Sequence, residues 1–238
     1  MRDVSIIPLS SKEEIIVGTD NSGGIGTKEE DVVKVDDRIT AYYSTRVAVM
    51  EVLAVNAAPF SVIIHNFSGD PVWEAYKQGA ETALKEAELE EVTITGSTES
   101  NFSLKQSALG ITVLGKRPVV ENETAHEYGV SYAVIGAPLT GNQVLEKREM
   151  AAPLSLFTKC CRHSAILDLI PVGSKGILEE LRELTGDASL TVKNVECPLD
   201  ILVSGGPSTC FLVKFRKEEE GKVREFAGGY YHSLLVRE

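Results

Sequence analysis

The sequence lacks the features that mark membrane, secreted and zinc-cluster proteins. Its apolar stretches fall well below the roughly 20 residues that span a bilayer, and residues 1–8 lack the apolar core of a signal peptide. Cysteines occur only at positions 160, 161, 197 and 210, without a Cys-x-x-Cys pair, so zinc-site spacing is absent and buried free thiols are expected. Together these absences predict a cytoplasmic protein.

Basic residues are also in short supply. The chain has 24 Lys and Arg against 35 Asp and Glu, which gives a net charge of −11. A nucleic-acid partner needs a basic face, so the composition argues against nucleic acid as the main partner. A single nucleotide is still allowed, because Mg²⁺ and a few local groups can balance its charge. The length of 238 residues suits one large domain or two small ones.

Two common phosphate-binding motifs are absent. A Walker loop ends in Gly-Lys-Ser/Thr, whereas residues 26–29 read Gly-Thr-Lys-Glu. A dinucleotide fingerprint opens an apolar helix, whereas a charged run follows Gly26. The histidines at 65, 126, 163 and 232 form no triad with Ser or Cys by spacing. If the chain binds a nucleotide, it does so with another architecture.

What the sequence does contain is a glycine-rich loop after a short apolar run. Ile15–Val17 predicts a buried strand that ends in Gly18-Thr19-Asp20, and residues 21–28 read Asn-Ser-Gly-Gly-Ile-Gly-Thr-Lys. Glycines allow backbone N–H groups to approach phosphate oxygens, and an Asp can hold the bridging Mg²⁺. Taken alone, the stretch favours a glycine-rich hairpin or surface loop without a ligand over a phosphate site.

Two further carboxylates have unusual neighbours. Glu51 lies within an apolar helical run, where a carboxylate is paired, faces a cleft or binds a cation, unless that side of the helix is exposed. Glu99 follows Gly96-Ser97-Thr98 at a predicted strand exit, which suits a metal or phosphate site or a solvated turn.

In the second half, residues 171–176, Pro-Val-Gly-Ser-Lys-Gly, precede an amphipathic helix. Helix N-termini bind anions, and Lys175 adds positive charge, but a plain helix cap with Ser174 as the capping residue is an equal alternative. The tight Gly205–Thr209 loop is a second candidate for lining a cleft.

The hydrophobic periodicity predicts a mixed α/β fold in two domains, residues 1–116 and 117–238, with residues 116–124 as the linker. Helices are predicted over 40–57, 70–90, 153–162 and 175–184, and strands over 2–9, 13–18, 31–36, 61–66, 91–95, 108–115, 131–136, 163–172, 189–192, 210–215 and 230–236. A charged turn is predicted over 216–222.

Three motifs in order resemble the aminoimidazole-ribonucleotide synthetase-like ATP-binding superfamily, which includes thiamine-monophosphate kinase, selenophosphate synthetase and a hydrogenase maturation factor. They are Thr19-Asp20 with the loop to Lys28, the stretch Met50–Pro59, and Thr95–Glu99. Glu51 stands at the position of the family's metal-binding Asp, and Ala57 replaces a Gly. Within the superfamily, residues 31–35, 49–55 and 171–176 are most similar to the alpha-ribazole kinases of cobamide salvage.

The resemblance implies a two-domain α/β fold, a homodimer formed through the N-terminal sheets, and transfer of the ATP γ-phosphate to the 5′-hydroxyl of alpha-ribazole. It implies that Asp20, Glu51 and Glu99 share Mg²⁺ ions and that Asp20, Lys28 and Lys175 serve catalysis. The residues implied to bind ATP are Asn21, Ser22, Gly23, Gly24, Gly26, Thr27, Gly96, Ser97 and Thr98.

One departure from the family keeps alternatives open. The family's C-terminal Asp-x-Ser-Asp-Gly-Gly loop corresponds to residues 171–176, where both aspartates are lost. A superfamily enzyme with another acceptor, or a non-catalytic nucleotide-binding relative, therefore remains a possible interpretation.

Overall fold

The computed structural model describes residues 3–119 and 129–237, and these fall into two compact units, 3–119 and 129–237. The N-terminal unit holds seven strands and two α-helices: β1 (Val4–Pro8), β2 (Glu13–Gly23), β3 (Ile25–Gly26), β4 (Val33–Lys34), α1 (Asp37–Ala54), β5 (Ala58–Asn66), α2 (Trp73–Glu86), β6 (Thr93–Thr98) and β7 (Ala108–Pro118). Five of these strands form one mixed sheet in the order β1-β2-β7-β5-β6, in which only β5 and β6 are parallel.

Buried and partly exposed side chains alternate along the strands, so the two faces of this sheet differ. Ile16, Val62 and Val113 are buried on the face that α1 and α2 cover. Their neighbours Val17 and Leu114, which pair with each other, lie on the opposite face and stay partly exposed. Successive strand residues point to opposite faces. The face that α1 and α2 do not cover, here called the bare face, therefore contains partly exposed apolar side chains.

The C-terminal unit, residues 129–237, is a second α/β layer structure. Its sheet has the order β10-β12-β8-β11-β9, and its elements are β8 (Val130–Ile135), α3 (Gln143–Glu146), α4 (Leu154–Arg162), β9 (Ile166–Pro171), α5 (Ile177–Thr185), β10 (Val195–Glu196), β11 (Phe211–Arg216), α6 (Glu220–Ala227) and β12 (Tyr231–Val236). Leu212 joins the apolar cluster under α5, whereas its neighbour Phe211 meets Phe157 of α4 edge to face at 4.9 Å. Helices therefore cover both faces of this sheet.

The structure confirms the predicted mixed α/β fold class, with differences in detail. The predicted charged turn at 216–222 is wrong, because a single-turn helix (Lys217–Glu219) leads into α6, whose i,i+4 pair Glu220–Arg224 and buried Val223 favour a helix. No strand covers 189–192. Within the predicted linker, residues 116–118 belong to β7, and residues 120–124 lie outside the described part of the chain.

None of the helices among residues 3–119 and 129–237 has the length and apolar character that crossing a membrane requires.

Candidate functional site

Among the predicted metal ligands, Asp20 has the surroundings that best suit that role. The predicted strand end at Gly18 is wrong, because β2 continues to Gly23 and Asp20 pairs with Ile111 inside the sheet. Its side chain lies on the helix-covered face, where it forms a hydrogen bond with Ser44 of α1. Burial raises the pKa of Asp20 from 3.8 to about 6, against the lowering effect of the Ser44 bond.

Gly18 explains how α1 comes so close to β2. A Cβ at Gly18 would lie 2.7 Å from the Ala48 carbonyl oxygen and 2.9 Å from Val52, so only glycine allows this approach. The glycine is a packing residue inside the strand, and it does not end the strand as the sequence suggested.

The same antiparallel passage of α1 along β2 gathers hydroxyl groups beyond Asp20. Ser22 lies two residues after Asp20 on the same face of β2, and Thr40 lies four residues before Ser44 on α1; both side-chain oxygens are buried without a hydrogen-bond partner. Carboxylate and hydroxyl oxygens are the ligand type that hard cations such as Mg²⁺ prefer. The oxygens of Asp20, Ser22, Thr40 and Ser44 are therefore of the chemical type that suits a hard cation.

The glycine loop is folded against the sheet and α1. The Gly24 carbonyl accepts the N–H groups of Val32 and Val33, and a short parallel pairing of β3 with β4 replaces the predicted strand at 31–36. A Cβ at Gly26 would lie 2.4 Å from Ser107 Oγ and 2.7 Å from Asp37 Oδ1. Glycine is needed here for close packing, whatever the loop binds.

Asp31 clamps the glycine loop, which here means that its carboxylate joins the loop at Lys28 to Ser107 by hydrogen bonds. Its buried carboxylate accepts hydrogen bonds from Ser107 N at 2.6 Å, Ser107 Oγ at 2.7 Å and Lys28 N at 2.9 Å. Desolvation raises the pKa of Asp31, but these hydrogen bonds outweigh it and the net shift is downward. The loop is thus held in one conformation by an ionised, buried carboxylate.

The remaining predicted loop residues have different surroundings. Lys28 Nζ donates to the Leu104 carbonyl at 2.7 Å, and Thr27 Oγ1 donates to Asp37 Oδ2 at 2.6 Å. Asn21 and Gly23 are exposed, and a Cβ at Gly23 would meet nothing within 4 Å. Thr27 is also exposed, although its hydroxyl is bonded to Asp37, and Lys28 is partly buried.

The structure does not bring Asp20, Glu51 and Glu99 together. Glu51 is buried in α1 at 8% exposure, which excludes the exposed-helix alternative, but it lies two helical turns from Ser44, or about 10 Å along the axis. Across the sheet, Asp20 is separated from β6, which precedes Glu99, by three strand spacings, roughly 14 Å. No cluster of three or more His, Cys, Asp or Glu side chains suited to one metal ion occurs in the described ranges.

Glu99 has a local structural role instead. Its carboxylate accepts the N–H groups of Asn101 at 2.7 Å and Phe102 at 3.3 Å, which caps the turn after β6. Gly96, Ser97 and Thr98 belong to β6 and not to a loop. Gly96 is needed for strand packing, since a Cβ there would lie 2.1 Å from the Ile64 carbonyl oxygen.

The C-terminal loop carrying Lys175 also differs from the expectation. The helix begins at Ile177 with Gly176 as its cap, so Ser174 does not cap it. The first-turn N–H of Leu178 donates to the Ile201 carbonyl at 3.0 Å, which occupies part of the predicted anion site. Lys175 itself is exposed.

Sequence reasoning missed Asp31, Ser107, Asp37 and Thr40. Asp31 and Ser107 are 76 positions apart in sequence, and nothing local connects them. A local sequence signal exists for the neighbouring Asp36, because an Asp directly before a helical run is a typical helix cap. Asp36 caps α1 by accepting the N–H of Arg38.

Comparison with solved structures shows which fold this is. The chain superposes on Thermotoga maritima PurL in complex with AMPPCP (TM-score 0.64, 13% identity, 98% of this chain and 42% of that one). It also superposes on the thiamine monophosphate kinase of Aquifex aeolicus (TM-score 0.64, 14% identity, 100% and 89%) and on a HypE–HypF complex structure (TM-score 0.60, 15% identity, 100% and 87%).

The chain therefore shares its fold with PurL and with the thiamine monophosphate kinase. The chain spans less than half the length of the PurL chains and nearly all of the thiamine monophosphate kinase chain. No protein-family model and no curated protein matches the sequence.

Proposed function

We propose that this protein is an ATP-dependent small-molecule kinase that phosphorylates the 5′-hydroxyl of alpha-ribazole. The observation that carries the proposal is Asp20, a carboxyl held by Ser44 beside buried hydroxyls and a clamped glycine loop. The fold adds support, because a thiamine monophosphate kinase that shares it has been solved with AMPPCP and TMP (13% identity, TM-score 0.61). The sequence motifs at 31–35, 49–55 and 171–176 support the acceptor.

Phosphoryl transfer needs mainly positioning and neutralisation of charge, so no side-chain nucleophile is required. Bound Mg²⁺·ATP would supply the γ-phosphoryl group and the cation that screens its charge. In this proposal Asp20 and the hydroxyls of Ser22 and Thr40 hold the cation. Asp31 keeps the glycine loop in place and thereby fixes the position of Lys28.

Lys28 would change partners when nucleotide binds. Its ammonium group now donates to the neutral carbonyl of Leu104, and a phosphate oxygen is a stronger, charge-assisted acceptor. We assign Lys28 the role of binding the ATP phosphates. Glu51 and Glu99 are assigned no shared metal with Asp20 within one chain, given their separation from it.

The acceptor is tested by incubating the purified protein with Mg²⁺·ATP and, separately, alpha-ribazole, thiamine monophosphate or no acceptor, with ADP release as the readout. We expect ADP release with alpha-ribazole well above both other reactions. ADP release with thiamine monophosphate alone would show that the protein is a kinase but that alpha-ribazole is not its acceptor.

One observation favours a non-catalytic, nucleotide-binding alternative. The loop at 171–176 has lost both family aspartates, and its helix N-terminus is partly occupied by the Ile201 carbonyl. Tight binding of Mg²⁺·ATP by calorimetry, without turnover on any acceptor in the panel, would favour this alternative over the kinase.

We also propose that two chains pair through the bare face of the N-terminal sheet. Val17, Leu114 and Ser61 lie side by side there, each partly exposed. A charge at the centre of this face would have to be desolvated on pairing, which is costly.

Leu114→Asp should therefore convert a dimer to a monomer in sedimentation-velocity experiments, with the far-UV circular dichroism unchanged. Thr82→Asp, on the exposed surface of α2, is the matched control and should leave the dimer intact. A wild-type protein that is monomeric at micromolar concentration, or a dimeric Leu114→Asp variant, would contradict this assembly.

A further inference from the structure

The C-terminal unit contains a cleft that none of the predicted site residues lines. Its volume is about 370 Å³, and its lining residues are Ala137, Glu149, Met150, Gly229, Tyr230 and His232. Pockets for small organic ligands start at about 300 Å³, so the cleft is large enough for one.

The walls of the cleft are fixed by backbone hydrogen bonds. Ala137 N donates to the Met150 carbonyl at 3.0 Å, and Gly136 N donates to the Tyr230 carbonyl at 2.8 Å. These bonds tie both rim segments, 148–150 and 228–230, to the end of β8. The cleft is therefore built into the fold and does not depend on a loose loop.

The side chains define what the cleft can hold. Tyr230 and His232 offer aromatic surfaces, and Met150 offers a polarisable thioether that packs well against rings. Desolvation lowers the pKa of His232, which favours a neutral imidazole near pH 7. Glu149, at the exposed rim, is the acidic group among the lining residues and accepts hydrogen bonds from hydroxyls.

The register of the sheet relates the cleft to the loop at 171–176. Ile135 of β8 and Pro171 of β9 both pair with Phe211 of β11, which lies between them. The two strands are thus parallel, and Ala137 and Gly173 both emerge from the same edge, two strand spacings or about 10 Å apart. A nucleoside is long enough to reach from one to the other.

We propose that this cleft is the acceptor subsite, in which a planar, uncharged aromatic base packs against Tyr230, Met150 and His232 while Glu149 accepts a ribose hydroxyl. For the benzimidazole nucleoside alpha-ribazole, the 5′ end then extends along the sheet edge toward the loop at 171–176. The assignment of alpha-ribazole as the ligand rests on the proposed function, whereas the chemistry of the cleft is independent of it.

The test fills the cleft without disturbing the backbone. Gly229 lines the cleft, has no left-handed φ, and a Cβ there would meet nothing within 4 Å. Gly221 in α6 shares the last two properties but does not line the cleft, so Gly221→Leu is the matched control for Gly229→Leu. Binding of alpha-ribazole, and of 5,6-dimethylbenzimidazole alone, is measured by calorimetry without ATP.

We expect Gly229→Leu to weaken the binding of both compounds by about tenfold or more, because it displaces a stacked base. Gly221→Leu should bind both like the wild type, and both variants should melt like the wild type. Glu149→Gln should weaken binding of the nucleoside several-fold but leave the free base unaffected, since the base carries no ribose.

The outcomes separate this inference from the proposed function. If Gly229→Leu abolishes binding in a protein that never phosphorylates alpha-ribazole, the cleft is supported as the binding site for the base and alpha-ribazole is refuted as the phosphoryl acceptor. Turnover of alpha-ribazole with equal KM in the Gly229→Leu and Gly221→Leu variants would refute the subsite and leave the kinase standing. Absence of any binding by the wild type overturns the subsite.

Discussion

Asp20→Asn is expected to reduce Mg²⁺-dependent phosphoryl transfer by about a thousandfold, because a neutral amide cannot replace the charge that holds the cation. The amide keeps the size of the carboxyl and can still bond to Ser44, so the packing between β2 and α1 is retained. The measurement is kcat with alpha-ribazole over a range of Mg²⁺ concentrations. The exposed Asp70→Asn in the same unit is the control and should be fully active.

The same substitution should not destabilise the fold. Because burial favours its neutral form, folded Asp20, with a pKa of about 6, binds its proton more tightly than the unfolded chain does. Its favourable contribution is therefore complete below pH 3.8 and is lost as the pH rises through about 6. At pH 8 the ionised carboxylate costs about 2 kcal/mol once partial exposure is discounted.

Asp20→Asn should consequently melt at the same or a higher temperature than the wild type at pH 8, with the advantage vanishing toward pH 4. By the same titration, Mg²⁺ affinity of the wild type should increase between pH 5 and 7. A fully active Asp20→Asn protein, or one with a much lower melting temperature at pH 8, would contradict the assignment.

Asp31→Ala is expected to cause the largest loss of stability. Asp31 is 6% exposed and accepts three hydrogen bonds, two of them from buried Ser107. Its removal leaves those donors without an acceptor, which costs about 3 kcal/mol in the free energy of unfolding. Urea denaturation followed by far-UV circular dichroism measures the change, and kinase activity should decrease with it because the glycine loop loses its clamp.

Asp187 provides a matched control. It also accepts the N–H and Oγ–H of a serine, Ser189, but it does so in an exposed turn, where Asp187→Ala should change the stability little. Since hydrogen bonding lowers the pKa of Asp31, the difference between wild type and Asp31→Ala should be full at pH 7 and shrink as the pH falls below about 4. Equal stability of the two alanine variants would show that the clamp is unimportant.

The sequence predicted the fold class because the long helices and strands show a clear hydrophobic periodicity. α1 and α4 were expected within three residues of their observed ends. The order of strands and helices was correct except that β3, α3, β10 and α6 were missed and the strand at 189–192 does not form. The errors fall where local signals mislead. Gly18 suggested a strand end but serves helix packing, and the charged run at 216–222 suggested a turn but forms part of a helix.

The candidate site was only partly predictable, because its important contacts are long-range. The sequence identified Asp20 and the glycine loop, but Ser44, which faces Asp20, and Ser107, which binds Asp31, are not neighbours in sequence. The distances implied by strand pairing separate Asp20 from Glu99. Motif order along the chain could not reveal that separation, since strand order in the sheet differs from strand order in the sequence.

The central claim is that this chain moves the γ-phosphate of ATP to the hydroxyl of a nucleoside. A ³¹P NMR time course with purified protein, Mg²⁺·ATP and alpha-ribazole observes this directly. The account predicts that the γ-phosphorus resonance of ATP declines while ADP and a new phosphate monoester coupled to the 5′-methylene protons grow at equal rates. An unchanged ATP spectrum, or ADP accompanied by free phosphate only, would contradict it.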